Sequence, residues 1–240
     1  MQQGEPPSDS RSSTPASALV IGASGGIGKA IAAALITRRG ADKVVLLSRR
    51  QDGLDLTVEA SVVAAAQELR DGGAGFDFVF NASGVLEVDG VGPEKAFRDI
   101  DAAAMARAFA VNSIGAAMAL KYFLPLLKRK QRAVFATLSA RVGSIGDNRL
   151  GGWMSYRASK AALNQIVRCA AVEVARVNRD AMVVALHPGT VKTALTEKYA
   201  RGRYTATPEE AAANMLNVLD ALTPAQSGGF FDYAGREIPW

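Results

Sequence analysis

In the segment YRASK, Tyr156 stands four residues before Lys160, a spacing that sets both side chains on one face of a helix. An ammonium beside a phenol favours the phenolate and draws its pKa from about 10 toward neutrality. Tyr156 would then be a proton donor and acceptor for a carbonyl/alcohol couple. Such a pair alone is commonplace, and its meaning depends on what accompanies it. A second stretch, GASGGIG at 22–28, spaces Gly22, Gly26 and Gly28 as G-x-x-x-G-x-G. The first glycine permits a tight turn, the second lets backbone approach a pyrophosphate, and the third lets helix pack on strand. A helix opening there offers unpaired N–H groups and a positive dipole end to phosphate.

The segment LLSRR ends with Ser48, Arg49 and Arg50 and carries no carboxylate. An acid at the end of a second strand would hold the adenosine ribose of NAD, whereas a guanidinium pairs with a 2′-phosphate. The residue swap therefore points to NADP(H) in preference to NAD(H). Other chemistries lack their parts. His187 is the single histidine and no G-x-S-x-G accompanies it, which argues against a serine-hydrolase triad and a His-rich metal site. Cys169 is the single cysteine, so no internal disulfide or multi-cysteine zinc site can form. Its apolar neighbours read as buried packing.

These residues need elements to hold them. Short apolar runs at 18–22, 43–48, 76–80, 132–139, 182–187 and 228–233 read as strands. Helical patterns at 25–39, 58–71, 101 to about 128, 154 to about 177 and 208–222 alternate with them. Unalternated strands and strict alternation of strand with helix imply a parallel sheet with right-handed crossovers, hence one doubly wound α/β domain over 18–240. Between the second strand and the helix at 58 only nine residues remain, too few for a crossover helix. The third strand is either a stub around Leu54–Leu56 or missing. Residues 1–17, polar and rich in Pro and Ser, read as a disordered tail without the apolar core of a signal peptide. The net charge is +5 with the basic residues scattered, a generic basic surface rather than a nucleic-acid site. No apolar run approaches the roughly 20 residues of a membrane span, and a cytoplasmic location is expected.

Taken together, GASGGIG, NASG at 81–84, Asn112 within VNSIG, YRASK and PGTVKT at 188–193 resemble the short-chain dehydrogenase/reductase family over nearly all of 18–240. The RVGSIGDNRLGGW and GGFFDYAGREIPW segments are most similar to its C-factor-like branch, which includes carbonyl reductases and a cell-cell signalling protein. The resemblance implies a Rossmann-type sheet of six to seven strands. It makes Tyr156 the general acid in carbonyl reduction and the base in reverse. Lys160 would lower its pKa and hold the nicotinamide ribose, with Asn112 anchoring a relay water. It places Ser24, Gly25, Gly26, Ile27, Gly28, Pro188 and Gly189 along the cofactor with Asn81, Ala82 and Gly84. Asp55 and Leu56 would meet the adenine, and Thr193 with the backbone of Val191 the carboxamide.

The family's catalytic serine stands three residues before the glycine matching Gly143, and that residue here is Ala140. Ser139, Ser144 or neither could take its place, with Ser139 the first choice. Lys198, Arg201 and Arg203 in the 194–207 loop read as solvated charges ahead of an anionic-substrate site. The expected protein is an NADP(H)-dependent oxidoreductase on a small carbonyl or alcohol, a homodimer or homotetramer with no nucleic-acid or membrane partner. The alternative is a nucleotide-binding signalling or sensor protein with little turnover.

Overall fold

Continuous apolar strands can be satisfied only when both faces of the sheet are covered, and the computed structural model, which describes residues 17–240, covers both. Six parallel strands, β1 (Ala18–Ile21), β2 (Val44–Leu47), β3 (Phe78–Asn81), β4 (Ala133–Leu138), β5 (Ala181–His187) and β6 (Phe230–Asp232), lie in the order β2-β1-β3-β4-β5-β6. The helices in chain order are α1 (Gly26–Arg39), α2 (Arg49–Asp52), α3 (Glu59–Asp71), α4 (Ala102–Phe109), α5 (Gly115–Phe123), α6 (Met154–Ala175), α7 (Glu197–Ala200) and α8 (Pro208–Ala221). Alternate strand residues divide the core. Val20, Phe80, Val134 and Val184 pack under α1 and α8, while Ile21, Val79, Phe135 and Val183 pack under α3, α5 and α6. The strand order reverses between β1 and β3, which opens a crevice at the carboxyl ends of the strands, the place where open α/β sheets take ligands.

The third strand is missing rather than a stub. After β2 the buried Ser48 caps α2, its hydroxyl accepting from the Gln51 N–H at 3.2 Å. The chain then turns at Asp55, whose carboxylate accepts from the Thr57 N–H at 2.9 Å, and enters α3. Leu54 and Leu56 are buried as loop anchors instead of pairing with β2, which is left as the sheet edge.

The long helix expected from about 101 to 128 is present and runs through α4, a π-helical turn over Ala110–Ile114, and α5. With the 3-10 turn after it, this stretch forms a 25-residue helix, Ala102–Leu126, long and apolar enough to cross a membrane, which corrects the expectation from composition. It packs against α3, α6 and the sheet through Ala116, Ala119 and Phe123, as core helices do. Cys169 corrects another expectation, since it lies exposed on the outer face of α6. Apart from Ser17, the tail lies outside the described residues. Ser17 itself is docked, its carbonyl accepting from the Asp77 N–H at 3.1 Å.

Candidate active site

The glycine loop joins β1 to α1 at the crevice. Gly22 has φ +78, a conformation that favours glycine, and a Cβ there would press on the Ser83 nitrogen at 3.0 Å. A Cβ on Gly28 would lie 2.1 Å from the Gly22 carbonyl, so only glycine lets α1 start this close to the strand. Gly25 has no such neighbour, its nearest atom being 3.5 Å away, and together with Ser24 and Gly26 it is exposed to the crevice. α1 has no side-chain cap and no acid in its first turn, which leaves its N–H groups and dipole to an anion.

Two cavities meet at Gly25, Ala82, Ser83 and Gly84. One, of about 290 Å³, is lined by Gly22, Ser24, Ser48, Arg49, Arg50, Asp55 and Leu56. Arg49 is 79% exposed and lies 3.9 Å from Asp55, too far for a strong pair. The Asp52 carboxylate turns back to accept from the Ser48 N–H at 2.8 Å and does not line this cavity. Asp55 accepts from Thr57, whose hydrogen bonds, rather than the weak pair with Arg49, chiefly hold its pKa down.

The other cavity, of about 340 Å³, brings together Gly25–Gly28, Ser139, Ala140, Tyr156, Lys160, Pro188, Gly189, Val191 and Thr193. The lining suits a dinucleotide: a backbone cradle open at Gly25 in the middle, two guanidiniums at one end, and a phenol with an ammonium at the other. A larger cavity of about 690 Å³, between α6 and the chain end at Trp240, touches neither Tyr156 nor the glycine loop.

Lys160 is buried, and its Nζ donates to the Leu138 carbonyl at 3.0 Å. Gly143 allows this, because a Cβ there would press on Lys160 at 2.8 Å. The ammonium sits over the Tyr156 ring, 5.9 Å from its centroid, and not at the hydroxyl. Desolvation therefore governs both groups. It raises Tyr156 to about 12 and lowers Lys160 to about 8. The depressed phenol expected from the spacing alone is not what this arrangement produces.

Asn112 lies in the π-helical turn and is buried. Its Nδ2 donates to the Val85 carbonyl at 2.9 Å and to Ser159 Oγ at 3.1 Å, and its Oδ1 accepts from the Val85 N–H at 2.9 Å. Both side-chain donors are thus spent on fixing the loop after β3 to α6. A π-bulge at such a position is a recurring mark of functional sites. Asn81 ends β3, with its Oδ1 accepting from Ser83 and its Nδ2 buried without a partner among the described residues. Gly84 abuts Lys160 and Asn112, 3.2 and 3.3 Å from where a Cβ would stand. Thr193 packs on Gly26, and the Val191 carbonyl accepts from the Thr196 hydroxyl.

The two serines diverge. Ser139 lines the cavity with Tyr156, and its hydroxyl donates to Asn164 Oδ1 at 2.6 Å. Ser144 lies off the cavity, donating to the Pro239 carbonyl and accepting from the Asp147 N–H. His187 also lines the cavity, a placement that its position at a strand end did not signal. Lys198 is not simply a solvated loop charge, since it donates to Glu87 at 2.9 Å. Trp153 packs edge-on against Tyr156 at 6.2 Å and against Tyr199 at 5.6 Å. The two glycines before Trp153 were the one sequence cue to this cluster. No motif marks Glu87, which accepts from the Tyr199 hydroxyl, or Glu94, whose main-chain carbonyl accepts from the Trp153 N–H.

Residues 16–203 match a family model described as short chain dehydrogenase. The chain is 34% identical over 232 residues to 1-hydroxy-2-glutathionyl-2-methyl-3-butene dehydrogenase of Rhodococcus sp. (strain AD45), covering 92% of this chain and 98% of that one. It is 38% identical over 145 residues to the C-signal of Myxococcus xanthus, covering 60% and 84% respectively. Among solved structures, the NADPH-bound carbonyl reductase from chicken fatty liver matches with a TM-score of 0.78 at 26% identity, covering 94% of this chain and 99% of that one.

Proposed function

The chain belongs to the short-chain dehydrogenase/reductase family, and from that premise we propose that it is an NADP(H)-dependent oxidoreductase interconverting a carbonyl and an alcohol, with Tyr156 as general acid and base. One observation carries the reading. A single cavity of about 340 Å³ sets the Tyr156 phenol and the Lys160 ammonium beside an open glycine cradle. A nicotinamide dinucleotide bound along that cradle would supply the hydride.

The chain's own task is then to orient and to move a proton. With a pKa of about 12, Tyr156 holds its proton at neutral pH and can donate it to a carbonyl oxygen as negative charge develops there. In the oxidising direction the phenolate left behind takes the alcohol proton back. Ser139 is the hydroxyl we assign to the substrate oxygen, because it shares the cavity with Tyr156 and Ser144 does not; to donate there it turns its single proton away from Asn164 Oδ1. Arg49 and Arg50, on the cavity that Asp52 does not line, support a 2′-phosphate and hence NADP(H) over NAD(H). The NADPH in the chicken carbonyl reductase agrees with that preference.

A second reading keeps the fold and the cofactor but little turnover. Ala140 favours it, and so does likeness to the C-signal. The two are separated by following NADPH oxidation against ketones, aldehydes and a glutathione-conjugated aldehyde, for the parent and Tyr156→Phe. The expected result is turnover by the parent, faster with NADPH than NADH, and a loss of about 10²–10⁴-fold in the variant. A parent that binds NADPH and reduces no carbonyl would establish the second reading instead.

A further inference from the structure

Helix α6 carries both Tyr156 and Lys160, yet it begins without a cap of its own. Its N-cap residue is Trp153, which makes no capping hydrogen bond. Gly151, Gly152 and Trp153 follow one another at φ +62, +64 and +56. For a tryptophan this left-handed backbone costs about 1–3 kcal/mol and persists only where the surroundings enforce it.

The enforcement comes from Glu94, 61 residues before Ser155. Its buried carboxylate accepts from the Ser155 N–H at 3.1 Å and from the Ser155 hydroxyl, and its main-chain carbonyl accepts from the Trp153 N–H. A carboxylate there satisfies an orphan donor of the first turn and meets the positive end of the helix dipole. The pinned indole then stands edge-on to Tyr156 and Tyr199. The Tyr199 hydroxyl donates to Glu87, seven residues before Glu94 on the same connection between β3 and α4.

We propose that Glu94 is a positioning residue for Tyr156, a buried carboxylate that caps α6 from a distant part of the chain and thereby sets the phenol in place. It acts through Ser155 and Trp153. Tyr156 lies in the first turn of α6, so fraying of that turn displaces it directly. The catalytic consequence rests on the function proposed above, whereas the anchoring itself does not.

The test uses the full chain in a Trp240→Phe background, which leaves Trp153 as the sole tryptophan. In this background Glu94→Ala is expected to lower kcat for carbonyl reduction at least about tenfold, since small misplacements of a reacting group are costly. NADPH affinity and KM should change little, and Trp153 emission should shift to the red as the indole is released. Glu94→Gln should retain most of kcat and the parental emission, because its amide oxygen still accepts from the Ser155 N–H and its NH₂ can donate to the hydroxyl. Parental kcat in Glu94→Ala would overturn the proposal, as would kcat and NADPH affinity falling together or failure of Gln to rescue. If the parent reduces no carbonyl, the functional reading has failed and Trp153 emission decides alone. Unchanged emission in Glu94→Ala then sinks the anchoring as well.

Discussion

Ser139 and Ser144 stand five residues apart, and their partners give them different work. Ser139 sits at the end of β4 with its hydroxyl on Asn164 of α6 and its surface on the cavity. Ser144 ties the loop after β4 to Pro239 near the chain end. Ser139→Ala is therefore expected to lower kcat by about tenfold or more while NADPH binding persists, as for loss of one polar contact to the reacting oxygen. Ser144→Ala should leave kcat nearly unchanged and cost about 1–3 kcal/mol in urea denaturation, from a carbonyl and an N–H left unpaired. The reverse pattern would move the substrate hydroxyl to Ser144. The residue scale also explains why spacing misled on Tyr156. Helical periodicity puts Lys160 on the same face, but it does not say that Nζ reaches a backbone carbonyl instead of the phenol.

At the scale of elements, the turn from β1 into α1 separates two roles that glycine can play. Gly28 is held by packing, with the Gly22 carbonyl 2.1 Å from any Cβ. At Gly25 a Cβ would meet nothing nearer than 3.5 Å among the described residues. Gly28→Ala should lower both the melting temperature and NADPH affinity, because overpacking at this site costs about 1–3 kcal/mol. Gly25→Ala should weaken NADPH binding while the melting temperature stays near the parent's, a difference measurable by thermal denaturation with and without NADPH. If Gly25→Ala binds NADPH as the parent does, the cradle is not where phosphate lies. The same logic governs α6. Its periodicity was legible from 154 onward, but its start depends on Glu94, which no local signal links to it.

For the molecule as a whole, His187 joins the site to stability. Burial, with Arg141 adding and Asp232 opposing, lowers its pKa from 6.5 to about 4. The unfolded chain takes up this proton first as pH falls. The stabilising contribution is thus present in full above about 6.5 and is lost as pH drops toward about 4. Its size is on the order of 3 kcal/mol by linkage. His187→Gln removes this proton uptake and leaves the carboxylates common to both proteins. The difference in unfolding free energy between parent and variant should therefore shrink between those two pH values. A difference independent of pH would mean that burial does not suppress the imidazole's protonation.

The sequence by itself determined the doubly wound sheet, the glycine turn and the Tyr156–Lys160 face, because each follows from a period or a spacing within one or two elements. The apolar pattern foresaw a helix from 101 to about 128 but not the π-turn at Asn112 within Ala102–Leu126. Nor could nine residues after β2 say whether a strand was shortened or lost. Tertiary structure decided these, as well as the partners of Ser139, the exposure of Cys169 and the carboxylate at the head of α6. All of them depend on which side chains meet across elements far apart in the chain. Hydrogen bonds and desolvation act through space, and no local pattern records them.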